Sequence, residues 1–252
     1  MNKPAALLSL ALFLAGTSAG AAELKLTPHA AEYKVKISIL SGRLNTELKL
    51  TESGYLATHT IKPTGIAAGL VKGEIFAESE FRAGDDGLVP LRYAANDEIS
   101  KDKLRADIRF DWEAQRVTGS YQTKDDPEPV SVDDELEQFA HDAVSIQYEL
   151  MYDLMNEGAS REYTLFDVDE LKKLNISSVG TQTVKTRAGS FDAIGIRHQA
   201  DNSSRQTTLW CVPELGYLPV MIEQHRKGKL RFRAKLVRYE PLPHEELSAQ
   251  SD

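Results

Sequence analysis

Strict alternation of apolar and polar residues is the feature that most limits how this chain can fold. In "YKVKISI" (33–39) and "LRADIRF" (104–110), apolar residues alternate with charged or polar ones. Successive side chains of a β-strand point to opposite faces, so this period of two predicts strands with one apolar and one solvated face. Such strands are typical of antiparallel sheets that cover a core on one side. Turn-forming stretches at 52–54, 84–87 and 226–229 indicate a meander.

One segment, residues 132–158, has a different periodicity. Its apolar residues recur every three to four positions, which is the period of one helix face. Acidic residues crowd its first turns, where the positive end of a helix dipole favours them, and Gly158 follows as a stop signal. The sequence therefore predicts a long amphipathic helix over about 132–158. The apolar residues at helical spacing are Phe139, Val144, Tyr148, Met151 and Met155.

Together these patterns predict an α+β protein that is mostly β. We expect roughly ten strands in one long antiparallel sheet, because turn signals separate about that many strand-like runs. Such a sheet buries its apolar face by curling around the helix as a half-barrel or open barrel, or else by closing into a barrel. We favour the curled sheet. The expected organisation is one domain at 22–241, followed by a disordered acidic tail at 242–252.

The N-terminus has the three parts of a secretory signal peptide. Lys3 precedes the apolar run "AALLSLALFLAG", and Ala19-Gly20-Ala21 forms a small-residue cleavage site. A membrane span needs about 20 apolar residues, so this run is too short for an anchor; a retained N-terminal anchor is the alternative. We predict cleavage of residues 1–21, export to the periplasm, and no transmembrane segment in the mature chain.

Charge and cysteine content narrow the classes of function. The chain has 252 residues, a formal net charge of -8 and one cysteine. An acidic chain lacks the basic field that nucleic-acid binding needs, so nucleic acid is not a predicted partner. One cysteine cannot form an intramolecular disulfide, so stability must come from the burial of apolar surface.

No catalytic or metal-binding motif stands out. The six histidines show no zinc spacing, and the chain has no nucleophile elbow or phosphate loop. Cys211 lies in an apolar strand-like run, where cysteine usually behaves as a small hydrophobe. His141 and Asp142 are neighbours on the predicted helix and so point apart, and we interpret them as solvated helix surface. We therefore predict no enzyme activity, no metal and no cofactor.

The stretch "TLWCVPELGYLPVMIEQ" (208–224) is predicted to be a hairpin corner. Pro213 removes a donor from the sheet and ends the first strand, and Gly216 is free to adopt a positive φ in the turn. Pro219 stands at the entry of the next strand, where a missing N–H is tolerated. These residues indicate architecture, and we do not interpret them as a reaction centre.

One strand-like stretch, 228–238, is predicted to have a cationic face. This face is a candidate contact for anionic lipid headgroups or for an acidic partner. A solvated face, or an edge strand protected from aggregation, is the alternative that we favour. The face consists of Lys229, Arg231, Arg233 and Lys235.

The glycine-rich stretch 63–74 carries the apolar residues Ile66, Leu70 and Val71. A loop of this kind contacts a membrane, plugs the mouth of a cavity, or folds its apolar residues back into the core. We favour the last of these three interpretations.

Three stretches carry motifs of a known family. "GSFDAIGI" (189–196) supplies the G-x-F-x-A part of a T-x-x-G-x-F-x-A strand, and residues 210–220 match a W-x-x-P-x-x-G-x-x-P-V hairpin in register. With the "DAVSIQYELM" helix (142–151) and the export signal, they resemble the exported bacterial proteins grouped as domain of unknown function 3108. The resemblance covers nearly the whole mature chain and implies an envelope protein with no established catalytic residues. In architecture only, a curled sheet around a helix is similar to periplasmic lipoprotein carriers.

The predicted function is a periplasmic, non-catalytic binding or carrier module for an apolar or amphipathic ligand, such as a lipid, an acyl chain or a lipidated protein. This expectation rests on a long one-sided sheet and a helix without catalytic groups. The alternative is an envelope scaffold or regulatory protein that contacts a protein partner through its surface. The predicted lining of the hollow consists of Phe110, Ile194, Ile196, Val220, Ile222 and Phe232.

Overall fold

One large antiparallel sheet dominates the fold. The predicted signal peptide and all but the first two residues of the predicted acidic tail lie outside the described residues. The structure is a computed structural model that describes residues 26–37, 40–85, 87–156, 158 and 162–243.

The described residues form two helices and fourteen strands. The helices are α1 (Ile66–Leu70) and α2 (Ser145–Asn156). The strands of the first half are β1 (His29–Ile37), β2 (Leu40–Thr51), β3 (Gly54–Thr64), β4 (Ile75–Gly84), β5 (Gly87–Asp97), β6 (Leu104–Asp111), β7 (Arg116–Thr123) and β8 (Val130–Glu135). Those of the second half are β9 (Glu162–Asp167), β10 (Glu170–Lys185), β11 (Ser190–Ala200), β12 (Arg205–Val212), β13 (Leu218–Arg226) and β14 (Lys229–Pro241).

The strands form two meanders joined by the ends of the domain. β1 to β8 follow one another through the sheet, β9 to β14 do the same, and β1 pairs with β14 to unite the two halves. The predicted turns at 52–54, 84–87 and 226–229 each connect two successive strands. The predicted antiparallel sheet is therefore confirmed, although it has more strands than the expected ten or so.

The sheet curls until its ends approach each other, but it does not close. Phe110 of β6 packs edge-to-face against Phe166 of β9, with ring centroids 5.7 Å apart. β8 and β9 are the two outer strands of the sheet and do not pair with each other. Part of the β9 edge is covered by a short parallel bridge between His141 and Leu165, which reduces the edge available for pairing with another chain.

The apolar face predicted from the alternation lines the inside of the curl. In β1, Tyr33 and Val35 are buried, whereas Lys34 and Lys36 are exposed. One continuous core contains buried residues from both meanders. A single core shared by distant strands is what a curled sheet produces, because the curl brings the apolar faces of those strands together.

The long helix predicted over 132–158 is wrong in its extent. Residues 130–135 form β8 and pair with β7, and residues 136–144 connect β8 to the helix, with 137–139 exposed and 140–142 buried. The acidic residues interpreted as the first helical turns lie at the exposed positions of an outer strand. These residues do not interact with a helix dipole there. Pairing with β7 satisfies the backbone hydrogen bonds of this segment, whereas the first turn of a helix leaves its N–H groups without partners in the helix.

The remaining helix keeps most of the predicted core stripe. α2 has twelve residues, and Gly158 lies just beyond it at φ 90° with its N–H donated to the Asp153 carbonyl. In the described part of the chain, neither helix has the length and apolar character that would let it cross a bilayer. In the predicted stripe, Val144, Tyr148 and Met151 are buried, Met155 is half-buried and Phe139 is exposed.

The hairpin corner predicted at 208–224 is confirmed. β12 ends at Val212, and a 3₁₀ turn follows over Pro213–Leu215. Gly216 adopts the left-handed conformation, with φ 62° and ψ 39°, and Pro219 is the second residue of β13.

Candidate functional site

A buried carboxylate fixes the start of α2 inside the curl. Asp142 accepts the backbone N–H groups of Val144 and Ser145 through Oδ1, both at 2.8 Å, and so acts as an N-cap. Its Oδ2 accepts the hydroxyl of Ser79 on β4 at 2.6 Å. Burial raises the pKa of Asp142, and these hydrogen bonds oppose that shift. One side chain therefore caps the helix and ties it to one wall of the sheet.

The interpretation of His141 and Asp142 as solvated helix surface is wrong. Their exposed fractions are 3% and 0%, and both residues precede the helix instead of lying on it. The error follows from the helix boundary, because a residue read as mid-helix surface is in fact the cap at which the chain enters the core.

A second buried carboxyl ties the middle of α2 to the same wall. Glu149 accepts the N–H of Leu88 on β5 at 2.7 Å, and a side chain at Gly87 would collide with its other oxygen. Burial is the largest cause that raises the pKa of Glu149, to about 8, while the Leu88 hydrogen bond opposes the shift. Helix α2 is thus attached to β4 and β5 by two acidic residues.

This one-sided attachment leaves a large cleft on the other flank of α2. The cleft has a volume of about 1130 Å³ and lies between the first turns of the helix and strands β9 to β13. Its floor closes where Leu150 packs against Ile196, Leu209 and Cys211. The apolar residues that line the cleft include Ile146, Leu150, Leu165, Leu171, Leu174, Leu209 and Ile222.

Polar groups line the upper part of the same cleft. Thr207 of β12 lies opposite Gln224 of β13. Two residues closer to the mouth of the cleft, Arg205 lies opposite Arg226. Neither arginine makes an ion pair within the described residues. His198 also lines the cleft, and burial lowers its pKa to about 4. Asp167, Glu170 and Asp201 line the cleft as well, so the cleft combines an apolar floor with a polar mouth that contains an arginine pair.

A smaller pocket of about 750 Å³ lies on the side of α2 near Glu149 and is lined by His141, Glu149, Asp153 and Tyr163. Burial lowers the pKa of His141 to about 3, and its Nδ1 has no hydrogen-bond partner among the described residues. Tyr163 donates a hydrogen bond to Asp153.

Shifted pKa values in a pocket are a known sign of catalysis. Here Glu149 contacts β5, so we interpret its shift as a consequence of anchoring.

A Glu149→Gln variant tests that interpretation. The pKa of Glu149 rises from 4.5 to about 8 on folding, so the folded state holds a proton that the unfolded state releases, and stability falls as the pH rises above 4.5. Each pKa unit corresponds to about 1.4 kcal/mol, and water in the open pocket reduces the effect, so we expect the variant to gain about 2 kcal/mol at pH 8. Urea unfolding at pH 5 and pH 8 measures this, and an equal change at both pH values would contradict it.

Cys211 lies in a strand, as the apolar run around it predicts. It is 1% exposed in β12, and burial raises the pKa of its thiol to about 12. The reactive thiolate is therefore disfavoured near neutral pH, and the side chain packs as a small hydrophobe against Leu150.

The predicted lining residues are distributed over several environments. Ile222 lines the cleft, and Ile194 and Ile196 pack beneath it in the cluster around Leu150. Phe110 and Val220 are buried in the main core, and Phe232 is half-buried against it. The sequence thus identified the inward faces of the strands but not which inward residues border open space.

The predicted cationic face lies on the outside of the sheet. Lys229 and Arg231 are exposed. Arg233 pairs with Glu223, with Nη2 and Oε1 2.6 Å apart, and Lys235 donates to the Lys185 carbonyl at 3.2 Å.

The glycine-rich stretch differs from its favoured interpretation. Ile66 and Leu70, on the five-residue helix α1, are 85% and 72% exposed, and only Ala67 is buried. A helix this short can bury one face only, and the small Ala67 side chain occupies that face.

Most of the cleft was not predicted from the sequence, because the cleft is formed by the position of α2 relative to the sheet. A local signal did exist: in "RQTTLWCV" (205–212), Arg205, Thr207 and Leu209 occupy alternate positions on the face of Cys211. That gradient from charged to apolar along one strand face corresponds to the passage from the mouth to the floor of the cleft.

The sequence as a whole decides the family. A family model described as "Protein of unknown function (DUF3108)" matches residues 29–233. The chain belongs to the DUF3108 family. The match confirms the resemblance seen in the hairpin and strand motifs, and it extends from β1 into β14. No curated protein matches this DUF3108 chain.

A solved structure shares the fold of this DUF3108 protein. It is described as a beta-barrel-like protein of domain of unknown function DUF1849 from Brucella abortus. The two have a TM-score of 0.54 and 14% sequence identity, and the similarity covers 87% of this chain and 99% of that chain. At this identity the likeness concerns the fold alone, and it agrees with a curled, barrel-like sheet.

Proposed function

We propose that this DUF3108 protein is a periplasmic, non-catalytic carrier or binding protein for an amphipathic ligand, such as a lipid, an acyl chain or the acyl group of a lipidated protein. The observation that carries the proposal is the cleft beside α2, with an apolar floor and a polar mouth. Its volume of about 1130 Å³ is at the upper end of the range of about 300–1,000 Å³ that is usual for small-molecule sites.

The mouth of the cleft favours a ligand with an anionic end. Arg205 and Arg226 lie directly opposite each other on adjacent strands, and like charges in such a pair are destabilising. A carboxylate or phosphate between the two guanidinium groups would remove this repulsion and form charge-assisted hydrogen bonds. The aliphatic part of the ligand would then extend toward Leu150 and Leu209.

The state of the candidate catalytic residues supports a non-catalytic role. Cys211 is a buried thiol, Asp142 accepts three hydrogen bonds as a structural cap, and Glu149 contacts β5. None of these groups lines the cleft. Periplasmic location is part of the proposal and rests on the N-terminal pattern at 1–21.

Titration with a fluorescent fatty acid, 11-(dansylamino)undecanoic acid, tests ligand binding. We expect saturable binding that weakens at least about tenfold in Thr207→Trp, because a large ring at this half-buried position fills the cleft. Arg205→Glu combined with Arg226→Glu should weaken binding by a similar factor. Thr118→Trp, on the outer face of β7, is the matched control for the first variant.

Two results would contradict this function. The first is the absence of saturable binding, together with a native mass spectrum of the purified protein that contains no bound lipid. The second is an equal loss of binding in Thr118→Trp and Thr207→Trp, which would place the probe outside the cleft.

A further inference from the structure

Four exposed apolar side chains lie at one end of the sheet. Ile37 ends β1 and Leu230 is the second residue of β14, and these two strands pair at this end. Ile66 and Leu70 lie on α1, which packs against β2 and β3 beside the same hairpin. We call Ile37, Ile66, Leu70 and Leu230 the apolar corner; their exposed fractions are 43%, 85%, 72% and 41%.

A row of cations crosses the outer face of the sheet next to the apolar corner. Lys62, Arg43, Lys34 and Lys235 are consecutive cross-strand partners on β3, β2, β1 and β14. We call these four residues the cationic row. Like charges directly opposite each other destabilise a sheet, so the fold tolerates an unfavourable arrangement here.

Carboxylates offset only part of this charge. Arg43 pairs with Glu32 at 3.3 Å and Lys62 with Glu74 at 2.8 Å. Within the described residues, Lys34 and Lys36 make no ion pair, and both are exposed. Lys36 lies opposite Arg233 of β14, which extends the positive region toward the apolar corner.

The two features are close enough to meet one flat surface together. Lys36 precedes Ile37 directly and Lys34 lies three residues away, and a strand rises about 3.3 Å per residue. Lys34 and Lys36 therefore lie within about 10 Å of Ile37 along the strand, which is comparable to the Debye length in physiological salt. At this spacing, the apolar side chains can insert among the lipid headgroups while the lysines lie at the level of the phosphates.

We propose that the apolar corner and the cationic row form a docking surface for a bilayer that contains anionic phospholipid. The chain carries a net charge of -8, so an anionic membrane repels it in most orientations. The cationic row then selects the one orientation that brings the apolar corner to the lipid. An acidic protein would satisfy the cations, but none of the four residues of the apolar corner lines either of the two cavities described above, in which a partner segment could lie.

Sedimentation with lipid vesicles tests the docking surface. The protein is expressed from its full sequence and purified as the cell processes it, then mixed with phosphatidylcholine vesicles with or without phosphatidylglycerol. We expect binding only with phosphatidylglycerol, and a loss of binding at high salt because the charges are screened. Ile66→Asp combined with Leu70→Asp, and separately Lys34→Glu combined with Lys36→Glu, should each weaken binding at least about tenfold.

Matched controls come from other parts of the sheet. Leu50→Asp changes a residue that is 42% exposed at the opposite end of β2, and Arg105→Glu combined with Arg109→Glu reverses two exposed cations on β6. Neither control should alter vesicle binding. All variants share the same N-terminal residues, so any contribution of that segment is common to them.

Three results would overturn the docking surface: equal binding to neutral vesicles, equal weakening by the control variants, or no vesicle binding with an acidic protein retained instead through Lys34 and Lys36. The corner variants leave Arg205, Thr207 and Arg226 intact. Fatty-acid binding in the cleft should persist in them, so failure of docking and failure of the proposed carrier function are distinguishable.

Discussion

An Asp142→Ala variant is expected to lose about 3 kcal/mol of unfolding free energy. The substitution removes the N-cap of α2, which costs about 1 kcal/mol. It also leaves the Ser79 hydroxyl and the N–H groups of Val144 and Ser145 without their acceptor, and each buried donor without a partner costs about 1–3 kcal/mol. Relief of the buried charge, which raises the pKa of Asp142, recovers part of this loss. Urea unfolding at pH 7 measures the difference.

Two further variants show whether the cap is responsible. Asp142→Asn keeps an acceptor for the helix N-terminus and should retain most of the stability. Asp133→Ala removes an exposed partner of Arg116 and should leave stability unchanged, since exposed ion pairs contribute little. A small effect of Asp142→Ala, equal to that of Asp133→Ala, would mean that the helix does not depend on this residue.

The strands could be predicted because their signal is local. In β1 and β6, alternation alone identifies the buried face, and the structure follows it except at the end of β1, where Ile37 is exposed. The Pro213–Leu215 turn was equally accessible, because proline and glycine restrict the backbone wherever they occur. β5 has no such local signal, since "GLVPLRYAAND" (87–97) does not alternate and forms a strand by pairing with its neighbours β4 and β6.

The helix boundary and the cleft could not be predicted for the same physical reason. Both depend on which wall of the sheet α2 is attached to, and that is decided by Asp142 reaching Ser79 and Glu149 reaching Leu88. These contacts join residues 63 and 61 positions apart in the chain. No pattern within one segment encodes such a pairing.

The attachment of α2 also explains how a filled core and an open cleft coexist. Tyr148 is fully buried and stacks with Phe81 of β4, with ring centroids 5.5 Å apart, so the helix is solidly packed against the first meander around Tyr148. Toward the second meander, Leu150 packs at the floor of the cleft against Ile196 and Leu209. A helix held by one wall can serve as a rigid side of a binding cleft, because a ligand that enters does not need to displace it.

Acidification is expected to destabilise the protein by about 4 kcal/mol between pH 7 and pH 5, because three histidines with strongly lowered pKa values cost about 2 kcal/mol each and Glu149 offsets about 2 kcal/mol. Burial lowers the pKa of His59 to about 4, of His141 to about 3 and of His198 to about 4, and it also lowers the pKa of His29. Near pH 6.5 the unfolded chain binds protons that the folded chain does not bind. The free energy of unfolding is therefore highest above pH 6.5 and decreases as the pH falls toward 4. Each such histidine contributes a slope of about 1.4 kcal/mol per pH unit.

Glu149 has the opposite sign over the same interval. Its pKa is raised on folding, to about 8, so a fall in pH from 7 to 5 favours the folded state, which binds the proton, and offsets about 2 kcal/mol of the loss. The Glu149→Gln variant, which keeps all the histidines, should therefore lose more unfolding free energy between pH 7 and pH 5 than the wild type does. The His198→Gln variant should lose about 2 kcal/mol less over the same interval.

Urea unfolding followed by tryptophan fluorescence at several pH values gives these slopes directly. A stability that stays constant from pH 7 to pH 5, or a slope that is the same in His198→Gln as in the wild type, would contradict the buried neutral state of these side chains. The expected steep slope has a structural origin. His59 donates to or accepts from Tyr148 Oη at 3.4 Å, and its ring and that of His29 lie 6.0 and 6.3 Å from the Tyr148 ring. A proton on either histidine therefore places a charge beside the most deeply buried face of α2, and the attached helix must loosen before water can solvate that charge.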